Sequence, residues 1–180
     1  MANALANQIQ NRNFLSPVGF KFTLSKDPKV AFFCTKTKIP EITLRTEIQP
    51  NYLKDIEVPG DKIAYADLYL KFLVDEDLVN YMSIHNWITG LGFPETTNQY
   101  ADLITDNGIR DSLSAFSDGS LYILDSSYNT NAVVKFKDLF PVSLTSLEFD
   151  TTQTDIQYFT AEVSFKYTVY NILSETGQPL

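Results

Sequence analysis

The chain has 180 residues, 44% hydrophobic and 20% charged, with a formal net charge of −8. That length and apolar content support one domain with a sizeable core and exclude wholesale disorder. A single Cys and a single His exclude an internal disulfide and a Cys/His zinc cluster, and the acidic balance argues against a phosphate-gripping surface. No apolar run approaches the roughly 18 residues of a membrane-spanning helix. Met1–Gln8 offers no cationic segment followed by an apolar block, so no secretory signal is expected.

The first periodic stretch is Val18–Ser25. Val18, Phe20, Phe22 and Leu24 share one face and Gly19, Lys21, Thr23 and Ser25 the other, the two-residue period of a half-buried strand. A second strand is expected over Val30–Lys36, after a turn at Lys26-Asp27-Pro28-Lys29. From Ile42 the alternation resumes, with Ile42, Leu44, Thr46 and Ile48 opposite Glu41, Thr43, Arg45 and Glu47. Pro50-Asn51 breaks it, Tyr52–Val58 reads as a further strand, and Pro59-Gly60-Asp61 as a turn. Tyr65–Val74, apolar on most of both faces, reads as a central strand.

A helix is expected at about Glu76–Leu91, capped by Asp75, with Leu78, Tyr81, Met82, Ile88 and Leu91 as its apolar stripe. Gly90, Gly92 and Pro94 should end it. Residues 93–118 are rich in Thr, Asn, Asp and Ser and read as loop. Leu121–Leu124 and Ala132–Lys137 then look like strands, and Phe140-Pro141 interrupts. Ser143–Asp150 and Tyr158–Tyr170, joined across Thr151–Asp155, form a long C-terminal hairpin. In its last strand Phe159, Ala161, Val163, Phe165, Tyr167 and Val169 make the apolar face. The expected fold is mainly β: an antiparallel barrel or sandwich with one packed helix. Residues 1–180 form a single domain, with 1–14 as an N-terminal arm and 93–131 as a variable, loop-rich segment.

The residues that could carry chemistry are few. His85 lies on or beside the helix stripe without a nucleophile motif around it, so it reads as a packing histidine and not a general base. Glu148 and Asp150 point the same way from one strand, but no ligand loop accompanies them, and a solvated acidic face explains them. Asp75-Glu76-Asp77 is explained by capping. Asp102, Asp106 and Asn107-Gly108 lack calcium-loop spacing. Cys34 reads as a small core or sheet residue. No catalytic residue, metal site or cofactor is expected. Ten Tyr and 13 Phe exceed what one small core hides, and aromatic residues on strands with open edges point to protein–protein contact.

The order of segments resembles a known family. Phe14-Leu15-Ser16-Pro17-Val18-Gly19-Phe20-Lys21-Phe22-Thr23-Leu24 precedes a strand leading into Lys38-Ile39-Pro40, and Ile56-Glu57-Val58-Pro59-Gly60-Asp61 follows. After the strand at 65–74 and a helix containing Trp87, the chain closes with Lys137-Asp138-Leu139-Phe140-Pro141, Ser146-Leu147-Glu148-Phe149-Asp150 and the run Asp155–Tyr167. These segments resemble the tail tube protein of contractile-tailed bacteriophages over roughly 14–91 and 132–170, with 93–131 departing from the family pattern.

The resemblance implies a virion protein, assembled in the host cytoplasm. Its subunits would close into homo-hexameric rings and stack into a tube inside a sheath, on a baseplate and along a tape-measure protein. DNA would pass through the lumen without specific binding, and no stable membrane association is expected. It also implies kinship with type VI secretion inner-tube proteins. On this view Glu148, Asp150, Glu162, Ser164 and Lys166 face the lumen, whose negative charge repels phosphate. Phe20, Phe22, Leu24, Trp87, Phe159, Val163, Phe165 and Tyr167 then form the core. Other readings are a tube-like baseplate or neck protein that starts or ends the tube, and a β-sandwich carbohydrate-binding module stacking sugars on surface Tyr and Trp87.

Overall fold

The computed structural model describes residues 14–27, 30, 33–106, 109–110, 115–150, 152 and 158–179. The expected N-terminal arm, the Pro28-Lys29 half of the first turn, Asn107-Gly108 and most of Thr151–Asp155 therefore lie outside the described residues, apart from Phe14 and Thr152. Among the described residues eleven strands run β1 (Phe20–Leu24), β2 (Cys34–Thr37), β3 (Ile42–Gln49), β4 (Ile56–Tyr65), β5 (Leu68–Leu73), β6 (Thr105–Asp106), β7 (Ile109–Arg110), β8 (Ser117–Leu124), β9 (Thr130–Leu144), β10 (Thr160–Lys166) and β11 (Val169–Ser174). Helices α1 (Val79–Gly92) and α2 (Thr97–Ile104) lie between β5 and β6.

Seven strands form one antiparallel sheet in the order β1-β8-β9-β10-β5-β2, with β11 also on β9. β9 is 15 residues long and serves two layers. Its first half pairs with β8 and β11, and its last residues, Phe140–Leu144, pair with β10. At the change-over Asp138 takes a left-handed backbone, φ 56°, one that Asp tolerates better than most residues. The sheet is thereby folded on itself but does not close into a barrel, which corrects the barrel half of the expectation; the sandwich stands. Between the layers lie Phe22, Leu24, Leu68, Leu70, Phe72, Val134, Phe136, Leu139, Val163 and Phe165, capped by Ile84 and Trp87 of α1.

Several local readings change. Val30 is helical and wholly buried, and the second strand begins only at Cys34. Pro59-Gly60-Asp61 is no turn: β3 and β4 are one antiparallel pair whose register shifts between Leu44 and Thr46. Three residues of β4, Gly60 to Lys62, thus bulge opposite Arg45. Gly60 is required there, because a Cβ would stand 2.3 Å from the Arg45 carbonyl oxygen.

Asp75 does not cap the helix. The buried Asn80 side chain instead accepts from the Asp75 N–H at 3.2 Å and donates to the Leu73 carbonyl at 2.8 Å. Leu78, with φ 56°, starts α1, and Phe93, with φ 33°, ends it. The buried stripe is Asn80, Ile84, Trp87 and Gly90, while Leu78 and Met82 are exposed. Gly90 lets α2 approach, since a Cβ would meet Leu103 at 3.1 Å. α2 is thus a second helix where only loop was expected.

The C-terminal hairpin is also redrawn. β9 runs through Phe140-Pro141, residues 145–150 have no strand, and the last strand is cut in two at Tyr167-Thr168 so that β11 leaves β10 for β9.

Candidate subunit interface

Two features of this fold are unfinished in the single chain. The first is the β3–β4 hairpin. Every residue of β3 is exposed, and Ile42, Leu44, Ile48 and Ile63 are each half or more exposed. Cross-strand partners place Ile42 beside Tyr65 and Leu44 beside Ile63, so these apolar side chains share one face. Tyr52 and Leu53 at the tip are 98% and 90% exposed. Apolar alternation without a layer to cover it is the mark of a surface completed by another molecule.

The hairpin is nonetheless held firmly at its feet. The Glu41 carbonyl accepts from the Ala66 N–H at 3.0 Å. Tyr170 donates to the buried Pro40 carbonyl at 3.1 Å, and Tyr167 to the Ala66 carbonyl at 2.8 Å. Both rings belong to a cluster with Tyr65 and Phe136, at centroid separations of 5.2 to 6.0 Å. Burial, with the neighbouring Tyr170, Tyr65 and Asp67, pushes the Tyr167 hydroxyl up to about 12. One tyrosine thus grips the chain entering β3 and the other the chain leaving β4.

The second feature is the four-stranded layer β9-β10-β5-β2. Among the described residues nothing pairs with the outer edge of β2, nor with the outer edge of β9 beyond Leu139. Successive antiparallel pairs make β9 and β2 run in opposite directions. A copy related by rotation can therefore set its β9 antiparallel against β2, and the same step repeated is head-to-tail, giving a ring where the rotation closes and an open helix where it does not.

A family model described as phage tail tube protein matches residues 4–173. The chain belongs to the phage tail tube protein family. Among solved structures it is similar to the tube-terminating cap of the anti-feeding prophage, at 16% identity and a TM-score of 0.64, over 97% of this chain and 99% of that one. It is also similar to a chain of the sheath–tube complex of the extracellular contractile injection system PVC (14%, TM-score 0.56, over 91% and 93%). A chain of the PVC sheath/tube terminator matches at 15% identity and a TM-score of 0.57, over 91% and 100%. No curated protein sequence matches.

The outer face of the four-stranded layer carries the residues that sequence reasoning assigned to the lumen of such a tube protein, with changes. Glu162 and Lys166 are exposed and paired, Glu162 with Lys71 at 3.1 Å and Lys166 with Asp67 at 2.8 Å. Ser164 is buried, flanked by Tyr69 of β5 and Ser143 of β9, so it presents nothing to a lumen. Glu148 and Asp150 are exposed but lie on the connector after β9 and not on a strand beside Glu162.

Lys36, Lys38 and Lys71 gather on this side around a groove of about 250 Å³ that Glu162 also lines. Lys38 stands 4.6 Å above the Tyr69 ring. The face is mixed, with Lys36, Lys38, Lys71 and Lys166 beside Glu162 and Asp67. Lys36, Lys38, Tyr69 and Lys71 were missed because only the pairing of β2 with β5 brings them together; nothing in their sequence spacing does.

Of the expected core, Phe22, Leu24, Trp87, Val163 and Phe165 are buried, and Phe20 and Tyr167 are partly so, packed against it. Phe159 is not core. It precedes β10, is 38% exposed, and stacks on Phe149 with centroids 4.7 Å apart. Trp87 is 3% exposed and its indole N–H donates to the Ala115 carbonyl at 2.8 Å, which removes it as a sugar-stacking platform. His85 is exposed on α1. Burial raises the Cys34 thiol to about 12, outweighing its contact with the Lys36 carbonyl.

Proposed function

We propose that this chain is a wall subunit of the inner tube of a contractile tail. Copies join through the β2 and β9 edges into six-membered rings, and the rings stack with each β3–β4 hairpin lying on the adjacent ring. The tube forms in the host cytoplasm on a baseplate and along a tape-measure protein, within a sheath. Phage DNA leaves through its lumen. The subunit performs no catalytic step and needs no cofactor.

The observation that carries this reading is the hairpin: two long strands with apolar side chains on a face that the described residues leave uncovered. Burying a fully exposed Leu or Ile is worth about 1.5–3 kcal/mol. Ile42, Leu44, Ile48 and Ile63 are already about half covered, so together they offer roughly 4 kcal/mol. Association costs at least about that much in lost freedom. A lone hairpin contact therefore cannot hold two copies together, and the edge pairing around a ring must act with it. Rings and stacking must therefore form together.

A second reading is supported by the similarity to the tube-terminating cap: the subunit sits at the end of the tube, and its rings do not propagate. Negative-stain imaging of the purified chain over a range of concentrations separates the two. Long tubes support the wall subunit, isolated or paired rings the terminator, and particles the size of one chain at every concentration contradict both.

A further inference from the structure

Two exposed parts of the four-stranded layer, the β2 side and the connector after β9, differ in charge. At β2, Lys36, Lys38 and Lys71 surround one carboxylate, Glu162, leaving two positive charges in excess. Glu162 is already engaged by Lys71 at 3.1 Å. Lys38 lies on the Tyr69 ring, and Lys36 makes no ion pair among the described residues. Thr35 and Thr37 turn their hydroxyls onto the Lys71 and Tyr69 carbonyls, so the lysines supply the outward chemistry of this edge.

Beyond the end of β9, Thr145 stays on β10, its N–H donating to the Glu162 carbonyl at 3.0 Å and its hydroxyl accepting from the Glu162 N–H at 2.9 Å. The chain then leaves through Glu148 and Asp150, both exposed and neither meeting a lysine or arginine among the described residues. Two turn hydrogen bonds from Thr152 hold the Asp150 carboxylate in place at 2.6 and 2.8 Å. The stacked pair Phe149–Phe159 pins the connector between them to the start of β10.

We infer that the Lys36–Lys38–Lys71 groove of one copy receives the Glu148–Asp150 connector of the next copy around the ring. The surplus of two positive charges meets two negative ones, and each copy carries both halves of the lock. This rests on the ring reading above and specifies its side-to-side contact. The charges set which surface meets which: groove against groove would bring lysines together, and connector against connector carboxylates, arrangements that like-charge repulsion disfavours. A chain with a net charge of −8 thereby associates in one direction only.

The test uses the full chain with both pairs reversed separately: Lys36→Glu with Lys38→Glu, and Glu148→Lys with Asp150→Lys. All four sites are exposed, so each variant should keep the wild-type circular dichroism. Sedimentation velocity then reads the concentration at which assemblies appear. Each double variant is expected to raise it at least about tenfold, and an equimolar mixture of the two to restore assembly, because alternating copies again present opposite charges at every contact. Wild-type assembly in either variant alone, or no recovery in the mixture of two folded variants, overturns the lock. A wild-type chain that never assembles instead overturns the ring reading on which it stands.

Discussion

Replacing Gly60 with Ala separates folding from assembly. The added Cβ would stand 2.3 Å from the Arg45 carbonyl oxygen and 3.1 Å from its carbon. That is more than about 1 Å inside an ordinary contact. The obstacle is backbone, so no side-chain rotation relieves it, and β4 must move away from β3 at the bulge. Such overpacking costs roughly 1–3 kcal/mol. The strain falls on a hairpin whose β3 residues are all exposed, however, and which meets the core through Tyr65 at the foot of β4, away from the bulge. The local loss is therefore bounded by the hairpin's own stability. The urea midpoint of the monomer should shift by less than for any large-to-small change among Phe22, Phe72 or Phe165. Assembly, which needs the shared apolar face of Ile42, Leu44 and Ile63 in register, should weaken at least about tenfold. Amide exchange should speed up along β3 and β4 and stay unchanged along β5 and β10. Gly60→Ala forming assemblies at the wild-type concentration would refute the claim that the hairpin is the stacking surface.

Trp87→Phe should destabilise the monomer by roughly 2–4 kcal/mol in denaturant unfolding, because it opens space beside Phe165 and leaves the buried Ala115 carbonyl without its 2.8 Å donor. A change below about 0.5 kcal/mol would place the indole outside the core. Tyr170→Phe keeps the ring but removes the donor to the Pro40 carbonyl. It should cost about 1–3 kcal/mol and accelerate amide exchange at Ala66 and Ile42 first; uniform exchange would deny the tyrosine its role as an anchor. Cys34, with its thiol raised to about 12, carries little thiolate at pH 8. Its alkylation should run on the order of 10³-fold slower than that of a free cysteine, rising with pH toward that value and quickening at once on unfolding. Free-thiol reactivity in the folded monomer would contradict the buried setting.

The sequence was most readable where local pattern and final environment agree. In β1 and β10 the two-residue period placed Phe22, Leu24, Val163 and Phe165 in the core, where they lie. It was misleading in β3, because alternation announces a face to be buried without saying which chain buries it. Pro59-Gly60-Asp61 carries turn chemistry but runs from a paired β4 residue into the bulge opposite Arg45, an outcome decided by the pairing with β3. Asp75 looked like a helix cap, yet Asn80 reaches back with both ends of its amide and ties the loop itself. Ser164 alternates correctly with Glu162 and Lys166 but is small and central, so its neighbours cover it.

The candidate interface depends on pairings distant in sequence. Tyr170 meets Pro40 across 130 positions, and the basic groove exists only because β2 lies against β5 and β5 against β10. No spacing rule along the chain anticipates contacts of that kind. The family resemblance supplied the assembly, and the strand order supplied the two edges that would meet.

A reconstruction of the assembled protein by electron cryomicroscopy reaches the main contention most directly. The expected map has β2 of each subunit hydrogen-bonded to β9 of its neighbour in one continuous wall, with β3–β4 lying on the adjacent ring. A map in which both edges face solvent, and the subunits touch through α1 and α2 instead, would contradict it.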